Sequence, residues 1–364
     1  MKKTFLILFM LAFAVSAVFA GGQDEGAKKG GMPYIAVVSK GEQHDFWQNV
    51  KRGSMDAATE YEVEVTFEGP PSESDVQIQV EMLNNAISKA PVAIALAALN
   101  TTSVIDQLTE LQGKGIPVVG FDSGVPEAPP GSIAANASTN NYEAAGIAAK
   151  KMFEIIKNDI EAATEDSPVK IVVMNQDAAG ESLLSRGKGF RDNMVDMIDS
   201  QTALSMADIA VIGNSAYIGA DSPRNGKKVF IEMIVPASAA NTDAAAASSA
   251  MLNKAADENI LGVFCSNEAT VKGLLAATND GADLATKYDI TVIGYDAGAG
   301  QKNAVRKGLF VGSITQDPYS IGYKAVELAY KAYMGEPVSD VDTGAKYYTS
   351  ENMDDPAIAP LLYD

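Results

Sequence analysis

The side chains best suited to contact a small molecule lie after short apolar runs of the chain, before the next apolar run begins. Most are carboxylates and amides, and two aromatic rings accompany them. The candidate ligand-binding residues are His44, Asp45, Phe46, Trp47, Asp122, Asp177, Asn267, Asp296 and Gln316. Carboxylates and amides form directional hydrogen bonds to hydroxyl groups, and an aromatic face can cover the apolar face of a sugar ring. The set therefore favours a neutral polyhydroxylated ligand.

Each candidate also has a purely structural explanation. An aspartate after a strand commonly caps a helix or shapes a loop, so only the convergence of the set supports binding. Phe46 and Trp47 are adjacent, and on a helix they cannot both face the core. At least one ring is expected at a cleft or in solvent. Trp47, the only tryptophan, is the better candidate for stacking on a ligand.

The inventory of reactive residues disfavours an enzyme. The chain has one histidine, His44, and one cysteine, Cys265, which excludes a metal cluster built from these two residue types. It has no G-x-S-x-G or P-loop sequence, and the turn after the first apolar run has one glycine where a dinucleotide site needs three. We therefore expect no catalytic residues, no metal and no cofactor. Asp122 and Asp296 could face one cleft, which leaves glycoside hydrolysis as the enzymatic alternative.

The candidate residues are positioned by an alternation of buried strands and amphipathic helices along the whole chain. Repeated strand–helix–strand units predict an α/β fold with parallel sheets covered by helices on both faces. Residues 118–124 read VVGFDSG and residues 292–298 read VIGYDAG. This weak internal repeat predicts two similar doubly wound lobes. Each lobe would place one aspartate beyond the carboxyl end of a strand, where ligands bind in such sheets.

Residues 203–227 interrupt this alternation. They contain several glycines, a proline and no clear helix. A loop of this length is either functional or an excursion over the surface. We expect an excursion, with a short hairpin near residues 209–211.

The first twenty residues have the pattern of an export signal. Lys2 and Lys3 precede an apolar core, and small residues end at Ala20, near which cleavage is expected. The apolar stretch is shorter than the ~18–20 residues that a spanning helix needs, which disfavours an uncleaved anchor. Residues 21–31 are polar and glycine-rich and are expected to form a flexible tether. The sequence thus predicts export from the cytoplasm.

The charge of the exported part excludes one class of partner. The full chain has 28 basic and 47 acidic residues, so loss of Lys2 and Lys3 leaves 26 basic residues and a net charge of −21. A surface of this sign repels phosphate backbones, so no nucleic-acid partner is expected. About 340 residues remain, more than one hydrophobic core usually supports, and two domains are therefore expected.

Several short sequences together resemble a known family. They are VVS with DFWQNVKRG at 45–53, GIPVVGFDSG at 115–124, TNNYEAAG at 139–146, SRGKGF at 185–190, VFCSNEATVKG at 263–273, VIGYDAG at 292–298 and ITQDPYSIGYKAVE at 314–327. In this order they resemble the periplasmic sugar-binding proteins of ABC transporters, of the ribose- and galactose-binding type. These proteins share their fold with the ligand domains of LacI-like repressors. The resemblance covers about residues 33–349.

This resemblance implies a type I periplasmic binding protein with two lobes joined by three crossovers. The N-terminal lobe would comprise residues 32–138 plus 318–345, and the C-terminal lobe residues 140–316 plus 346–364. Closure of the lobes about this hinge would trap a sugar or polyol, and a membrane permease would bind the closed form. A chemoreceptor is an alternative partner for the same form. The resemblance also implies a monomer in the periplasm.

The family's ligand contacts would fall, by position, on Phe46, Trp47, Asp122, Asn267, Asp296 and Gln316, with His44 as a further member. The sequence departs from the sugar-binding pattern at three places. Ser123 and Leu184 stand where many members have arginines, and residues 241–243 lack an aromatic ring. Loss of two charge-assisted donors removes strong hydroxyl contacts.

These departures lead to two expectations about the ligand. It would be less hydroxylated than ribose or galactose, or it would carry a cation bound by Asp122 and Asp296. Arg186, which is retained, is expected to have a structural role.

Overall fold

The computed structural model describes residues 31–363. The expected signal peptide at residues 1–20, its cleavage near Ala20 and the tether up to residue 30 lie outside these described residues. Within the described range, no helix combines the length and the apolar character needed to cross a bilayer.

The strands alternate with helices as the sequence predicts. In chain order the strands are β1 (Tyr34–Val38), β2 (Glu64–Glu68), β3 (Ala93–Leu96), β4 (Val118–Phe121), β5 (Ala135–Ser138), β6 (Val169–Met174), β7 (Ile209–Gly213), β8 (Val229–Ile234), β9 (Ile260–Cys265), β10 (Thr291–Tyr295), β11 (Gly312–Gln316), β12 (Val341–Asp342) and β13 (Ala345–Tyr348). The helices are α1 (Asp45–Glu60), α2 (Val76–Ser88), α3 (Ile105–Lys114), α4 (Asn141–Glu161), α5 (Glu181–Gln201), α6 (Ser215–Ile218), α7 (Asn241–Leu252), α8 (Glu268–Ala277), α9 (Ala282–Thr286), α10 (Ala299–Arg306) and α11 (Pro318–Tyr333). Short 3-10 turns occupy Met206–Asp208 and Ala359–Leu361.

Two sheets form the cores of two lobes. The first has the order β12-β5-β4-β3-β1-β2, and its neighbouring strands are all parallel. The second has the order β13-β11-β10-β9-β6-β8-β7 and is parallel except for β13, which is antiparallel to β11. The predicted α/β class with two doubly wound parallel-sheet lobes is therefore confirmed.

Alternate residues of a central strand show why each sheet needs helices on both faces. In β1, Ile35 and Val37 belong to the hydrophobic cluster that contains Val50 of α1, whereas Ala36 and Val38 belong to the cluster that contains Leu83 of α2. A strand buried on both faces is continuously apolar, as this one is. The same division recurs in β6 of the second sheet.

The chain crosses between the sheets three times. It leaves the first sheet after β5 and enters the second through α4, and it returns after β11 through α11, which packs on α1. It crosses again between β12 and β13. This last passage lies at residues 343–344, slightly before the position near Lys346 at which it was expected. The three-crossover hinge agrees with the fold that the sequence resembles.

One local prediction was wrong, and one strand was not predicted. Residues 209–213 do not form a hairpin: β7 pairs in parallel with β8, from Ile209 beside Val229 to Gly213 beside Met233, and extends the second sheet. Residues 135–138 were not recognised as a strand, although β5 pairs with β4. The sequence ANAS of β5 has little apolar character, so its extended conformation depends on tertiary pairing and not on local preference.

Candidate functional site

A cavity of about 220 Å³ lies between the lobes, at the carboxyl ends of both sheets. Seven of the nine candidate residues line it, namely His44, Phe46, Trp47, Asp122, Asn267, Asp296 and Gln316. Several further residues line the cavity that were not candidates from the sequence, including Lys40, Glu73, Arg186, Glu268 and Lys272. Both lobes therefore contribute to one polar cavity.

The other two candidates lie outside the cavity lining. Asp45 is exposed at the first position of α1, and the N-cap of that helix is His44, whose Nδ1 accepts a hydrogen bond from the Phe46 backbone N–H at 3.2 Å. The Asp177 carboxylate accepts hydrogen bonds from the backbone N–H groups of Ala179 and Gly180, both at 2.8 Å. Asp177 thus has the loop-forming role that the sequence analysis left open for such aspartates.

Asp122 and Asp296 reach the cavity through the same unusual backbone conformation. Both residues lie in the left-handed region, with φ of 56° and 78°, which aspartate and asparagine tolerate better than most residues. Each backbone N–H donates to the adjacent strand, to Ala137 at 3.0 Å and to Ile314 at 2.6 Å. The repeated Gly-aromatic-Asp sequence therefore encodes the same turn in both lobes.

Lys40 neutralises Asp122. Its Nζ lies 2.8 Å from the Asp122 carboxylate, and the two residues are 7% and 2% exposed. Burial lowers the pKa of Lys40, but attraction by Asp122 and Glu73 raises that pKa more, so its net shift is upward and the ammonium stays charged. Lys40 lies two residues after the end of β1, and this position at the carboxyl end of a strand was the signal that could have identified it.

Arg186 lies beside Asp296. Its guanidinium is 3.7 Å from the Asp296 carboxylate and 3.8 Å from the ring centroid of Tyr295. Nε donates to the Asn141 side chain at 2.8 Å, and another nitrogen donates to the Ser266 carbonyl at 3.1 Å. Arg186 thus has the expected structural role, because it links α5 to α4 and to the residue that follows β9. The expectation was incomplete, because Arg186 also lines the cavity.

Asp296 is the centre of a buried hydrogen-bond network. Its two carboxylate oxygens accept from the Gln316 side-chain amide at 2.8 Å and from the Glu268 backbone N–H at 3.1 Å. Among the described residues, nothing donates to the buried carbonyl oxygen of the Gln316 side chain. Because buried acceptors are normally satisfied, this oxygen is available to a hydroxyl group in the cavity.

The two aromatic rings form one wall. Phe46 and Trp47 are both buried and meet edge to face, with centroids 4.9 Å apart and an angle of 88°. The indole N–H of Trp47 donates to the Glu73 carboxylate at 2.8 Å, which fixes the ring. Both rings line the cavity, which agrees with the expectation of at least one ring at the cleft. Both also belong to one hydrophobic core cluster, so the expectation that they cannot both face the core was wrong.

Asn267 shapes the opposite wall. Its side-chain oxygen accepts from the Thr270 backbone N–H at 3.2 Å and caps α8, while its amide donates to the side chain of Gln176. Gln176 in turn donates to the Ala239 carbonyl at 3.2 Å. These hydrogen bonds therefore hold together the loops that follow β6, β8 and β9, next to the cavity.

An ion pair connects the two lobes at the cavity. His44 Nε2 of the first lobe lies 3.0 Å from the Glu268 carboxylate of the second. Burial lowers the pKa of His44, but the hydrogen bond and charge of Glu268 raise that pKa more, so the net shift is upward. Burial raises the pKa of Glu268, whereas His44 and Lys272 lower that pKa more, so its net shift is downward. The lobes are thus in contact across the ligand cavity.

Further hydrogen bonds cross the cleft near Asp122. Lys40 Nζ donates to the Ser182 hydroxyl at 3.3 Å, and the Ser182 backbone N–H donates to the Ser123 hydroxyl at 3.4 Å. The Gly124 backbone N–H donates to the Glu181 carboxylate at 3.3 Å. These contacts describe a closed arrangement of the lobes.

Known proteins share this arrangement. Residues 35–337 match a family model described as a periplasmic binding protein domain. The D-allose-binding periplasmic protein of Escherichia coli (strain K12) is 23% identical over 319 residues, which cover 86% of this chain and 88% of that protein.

Solved structures extend the comparison. A Brachyspira murdochii protein, described as an ABC transporter, LacI family transcriptional regulator, is 39% identical, has a TM-score of 0.76 and aligns over 92% of this chain and 99% of its own. An ABC transporter solute binding protein from Agrobacterium vitis with bound D-fucose is 25% identical, with a TM-score of 0.73 and coverage of 91% and 100%. A carbohydrate transporter solute binding protein from Agrobacterium radiobacter, in complex with D-arabinose, is also 25% identical, with a TM-score of 0.73 and coverage of 91% and 99%. The likeness spans both sheets.

Proposed function

This chain belongs to the periplasmic binding protein family, and we propose that it binds a neutral monosaccharide between its lobes. It is a solute-binding receptor of an ABC importer, acts in the periplasm, and passes its ligand to a membrane permease. We further propose that the exported form begins after cleavage near Ala20. Residues 139–140, 317 and 343–344 would form the hinge about which the lobes close.

One observation carries the choice of a neutral ligand: each cavity aspartate already has a cation of the protein beside it. Lys40 is 2.8 Å from Asp122, and Arg186 is 3.7 Å from Asp296. A cationic ligand would have to displace these groups, which speaks against the cation that the sequence analysis considered. Lys40 also offers a charged donor to hydroxyl groups, as the arginine missing at Ser123 does in related proteins.

The remaining charges disfavour an anionic ligand. Five carboxylates line the cavity, and they outnumber three permanently cationic side chains and the titrating His44; the carboxylates are Glu42, Glu73, Asp122, Glu268 and Asp296, and the permanent cations are Lys40, Arg186 and Lys272. A sugar acid or sugar phosphate would meet this excess of negative charge. A neutral ring with several hydroxyls can use both the carboxylates and the cations without adding a charge.

The size of the cavity favours a single sugar ring. Its volume of about 220 Å³ is below the roughly 300–1,000 Å³ typical of pockets for drug-sized ligands. Phe46 and Trp47 supply the apolar surface that one face of a ring needs. The sugars bound by the relatives, D-allose, D-fucose and D-arabinose, are single rings of this kind.

We also propose that the cavity performs no hydrolysis. A glycosidase needs one carboxyl group that stays protonated to act as the acid. Asp122 and Asp296 are instead engaged by side chains of the protein, Asp122 by Lys40 at 2.8 Å and Asp296 by the Gln316 amide at 2.8 Å, so neither carboxyl group is placed to give a proton to a leaving group.

The proposed function predicts a sugar-dependent rise in melting temperature. Ligand at 100 times its Kd stabilises the folded state by about 2.7 kcal/mol, which corresponds to a few degrees for a protein of this size. The mature protein should first be unfolded and refolded to remove any bound solute. It should then be melted with D-allose, D-fucose, D-arabinose and other neutral pentoses, hexoses and polyols, with sugar acids and sugar phosphates as controls. A shift only with charged solutes, or with none of the panel, would contradict the proposal.

A second prediction concerns pH. In the open form His44 lacks Glu268, whereas in the closed form the hydrogen bond and the charge of Glu268 raise the pKa of His44. The groups around it are Glu268 and Lys272 of α8, Glu73 of the loop after β2, and the Tyr363 ring. Protonation at Nδ1 gives up the Phe46 hydrogen bond, which limits the upward shift. The ion pair therefore favours closure fully below the open-form pKa and loses this effect as pH rises through the closed-form pKa.

Calorimetry with the sugar identified in the melting screen should thus give a weaker Kd at about pH 8.5 than at about pH 6. Glu268 stays ionised in this range because its pKa is lowered. His44→Asn keeps a good N-cap residue for α1 but removes the titrating group, so its Kd should depend less on pH. An equal pH dependence in His44→Asn and the unmodified protein would rule out His44 as the source.

A further inference from the structure

The segment 349–363 lies beyond the region that matches the family model, which ends at residue 337. It packs on the second lobe. Met353 is buried, and the Thr315 hydroxyl of β11 donates to the Leu361 carbonyl at 2.9 Å. The proposed function does not account for this segment.

The last described residue of the segment, Tyr363, contacts two residues that line the cavity. Tyr363 is 6% exposed, and its hydroxyl accepts a hydrogen bond at 3.3 Å from the backbone N–H of Ala297, the neighbour of Asp296. Its ring makes edge contacts with His44 and Phe46, at centroid distances of 6.3 Å and 6.0 Å and angles of 71° and 70°. These two partners belong to the first lobe and line the cavity.

We propose that Tyr363 is a positioning residue that holds the lobes closed and thereby sets how long the ligand stays bound. This inference rests on the proposed function for the identity of the ligand but not for the contact itself. Tyr363 is anchored to the second lobe through Ala297, so its contacts with His44 and Phe46 depend on how the lobes are arranged. A contact made only in the closed form increases the population of that form.

Tyr363 also contacts two residues of the proposed ligand site, Phe46 and His44. Its ring packs against Phe46, which forms the aromatic wall with Trp47. It packs against His44 as well, which pairs with Glu268 across the cleft. Loss of the ring would therefore loosen both the wall and the ion pair, without removing any group that hydrogen-bonds to the ligand.

Loss of the Tyr363 ring is expected to change the rate at which the ligand dissociates and not the rate at which it associates. Two edge-to-face aromatic contacts correspond to roughly a tenfold change in an equilibrium. On this proposal, ligand enters the open form, in which Tyr363 would not touch the first lobe. Tyr363→Ala should therefore raise koff about tenfold and leave kon nearly unchanged. Tyr363→Phe keeps the ring and should stay close to the unmodified protein.

The test uses D-allose as probe and the fluorescence of Trp47, the only tryptophan of the chain, as readout. Stopped-flow traces give kon and koff for the unmodified protein, Tyr363→Ala, Tyr363→Phe and Met353→Ala. Met353→Ala is the matched control, because it removes another buried side chain of the same segment. A merely structural role of the segment predicts that both alanine variants lower the melting temperature and that neither selectively raises koff.

A second measurement tests the role of Tyr363 in lobe closure even if D-allose does not bind. Fluorophores at the exposed residues Asn85 and Asn303, one on each lobe, report the closed fraction of single molecules without added sugar. Tyr363→Ala should lower this fraction relative to Met353→Ala. Equal closed fractions and equal koff values in these two variants would overturn the inference. Failure of every sugar to bind would overturn only the proposed function.

Discussion

Asp296→Asn should weaken binding of the sugar identified in the melting screen by about 2–5 kcal/mol, the usual effect of removing one partner from a buried, charge-assisted network. This corresponds to a roughly 30- to 5,000-fold increase in Kd. The carboxylate accepts from Gln316 and from the Glu268 backbone and lies beside Arg186. An amide has one acceptor oxygen where the carboxylate has two, so the network cannot form in its present arrangement.

Asparagine is the appropriate replacement because of the backbone. Asp296 has φ of 78°, a conformation that asparagine tolerates and that strains most other residues. The protein should therefore remain folded, which circular dichroism and the melting temperature of the sugar-free protein can check.

Asp45→Asn is the matched control, since Asp45 was selected from the sequence by the same reasoning but is exposed and outside the cavity. Calorimetry should give this variant the Kd of the unmodified protein. A near-normal Kd for Asp296→Asn, or an equal loss in Asp45→Asn, would refute the site described here.

The part of the site that the sequence predicted depends on local patterns. Asp122 and Asp296 each follow a buried strand and a Gly-aromatic pair, and the conformation of such a turn is encoded by its own residues. Parallel sheets then bring both turns to one cleft. The same reasoning selected Asp45 and Asp177, and it could not separate cavity residues from helix-terminal and loop-forming ones, because an aspartate after a strand serves either purpose.

The part that the sequence missed depends on pairing across the fold. The absence of an arginine at Ser123 suggested a missing cation, but Lys40 provides one from another strand end. Glu268 was not selected from the sequence, because its contact with His44 exists only when the lobes meet. The direction of β7 was likewise not encoded locally, since an apolar run pairs equally well with a parallel or an antiparallel neighbour.

Variants of the Lys40–Asp122 pair should affect the stability of the fold and the binding of sugar differently. Lys40→Met leaves a buried carboxylate without its cation, and Asp122→Asn leaves a buried ammonium without its anion. Each change should lower the free energy of unfolding by about 3–5 kcal/mol. Asparagine again suits the backbone, because Asp122 has φ of 56°. The double variant contains neither charge, so its stability should exceed that of either single variant.

Binding should not recover with stability. A sugar in the cavity requires the charged donor and the charged acceptor themselves, so the double variant should bind no better than the single variants. Urea unfolding measures the first quantity and calorimetry the second. Lys114→Met, which breaks the exposed pair with Glu110, is the control and should change both quantities little. Recovery of sugar binding in the double variant would show that this pair only supports the fold, whereas recovery of stability alone would show that Lys40 and Asp122 form part of the sugar site.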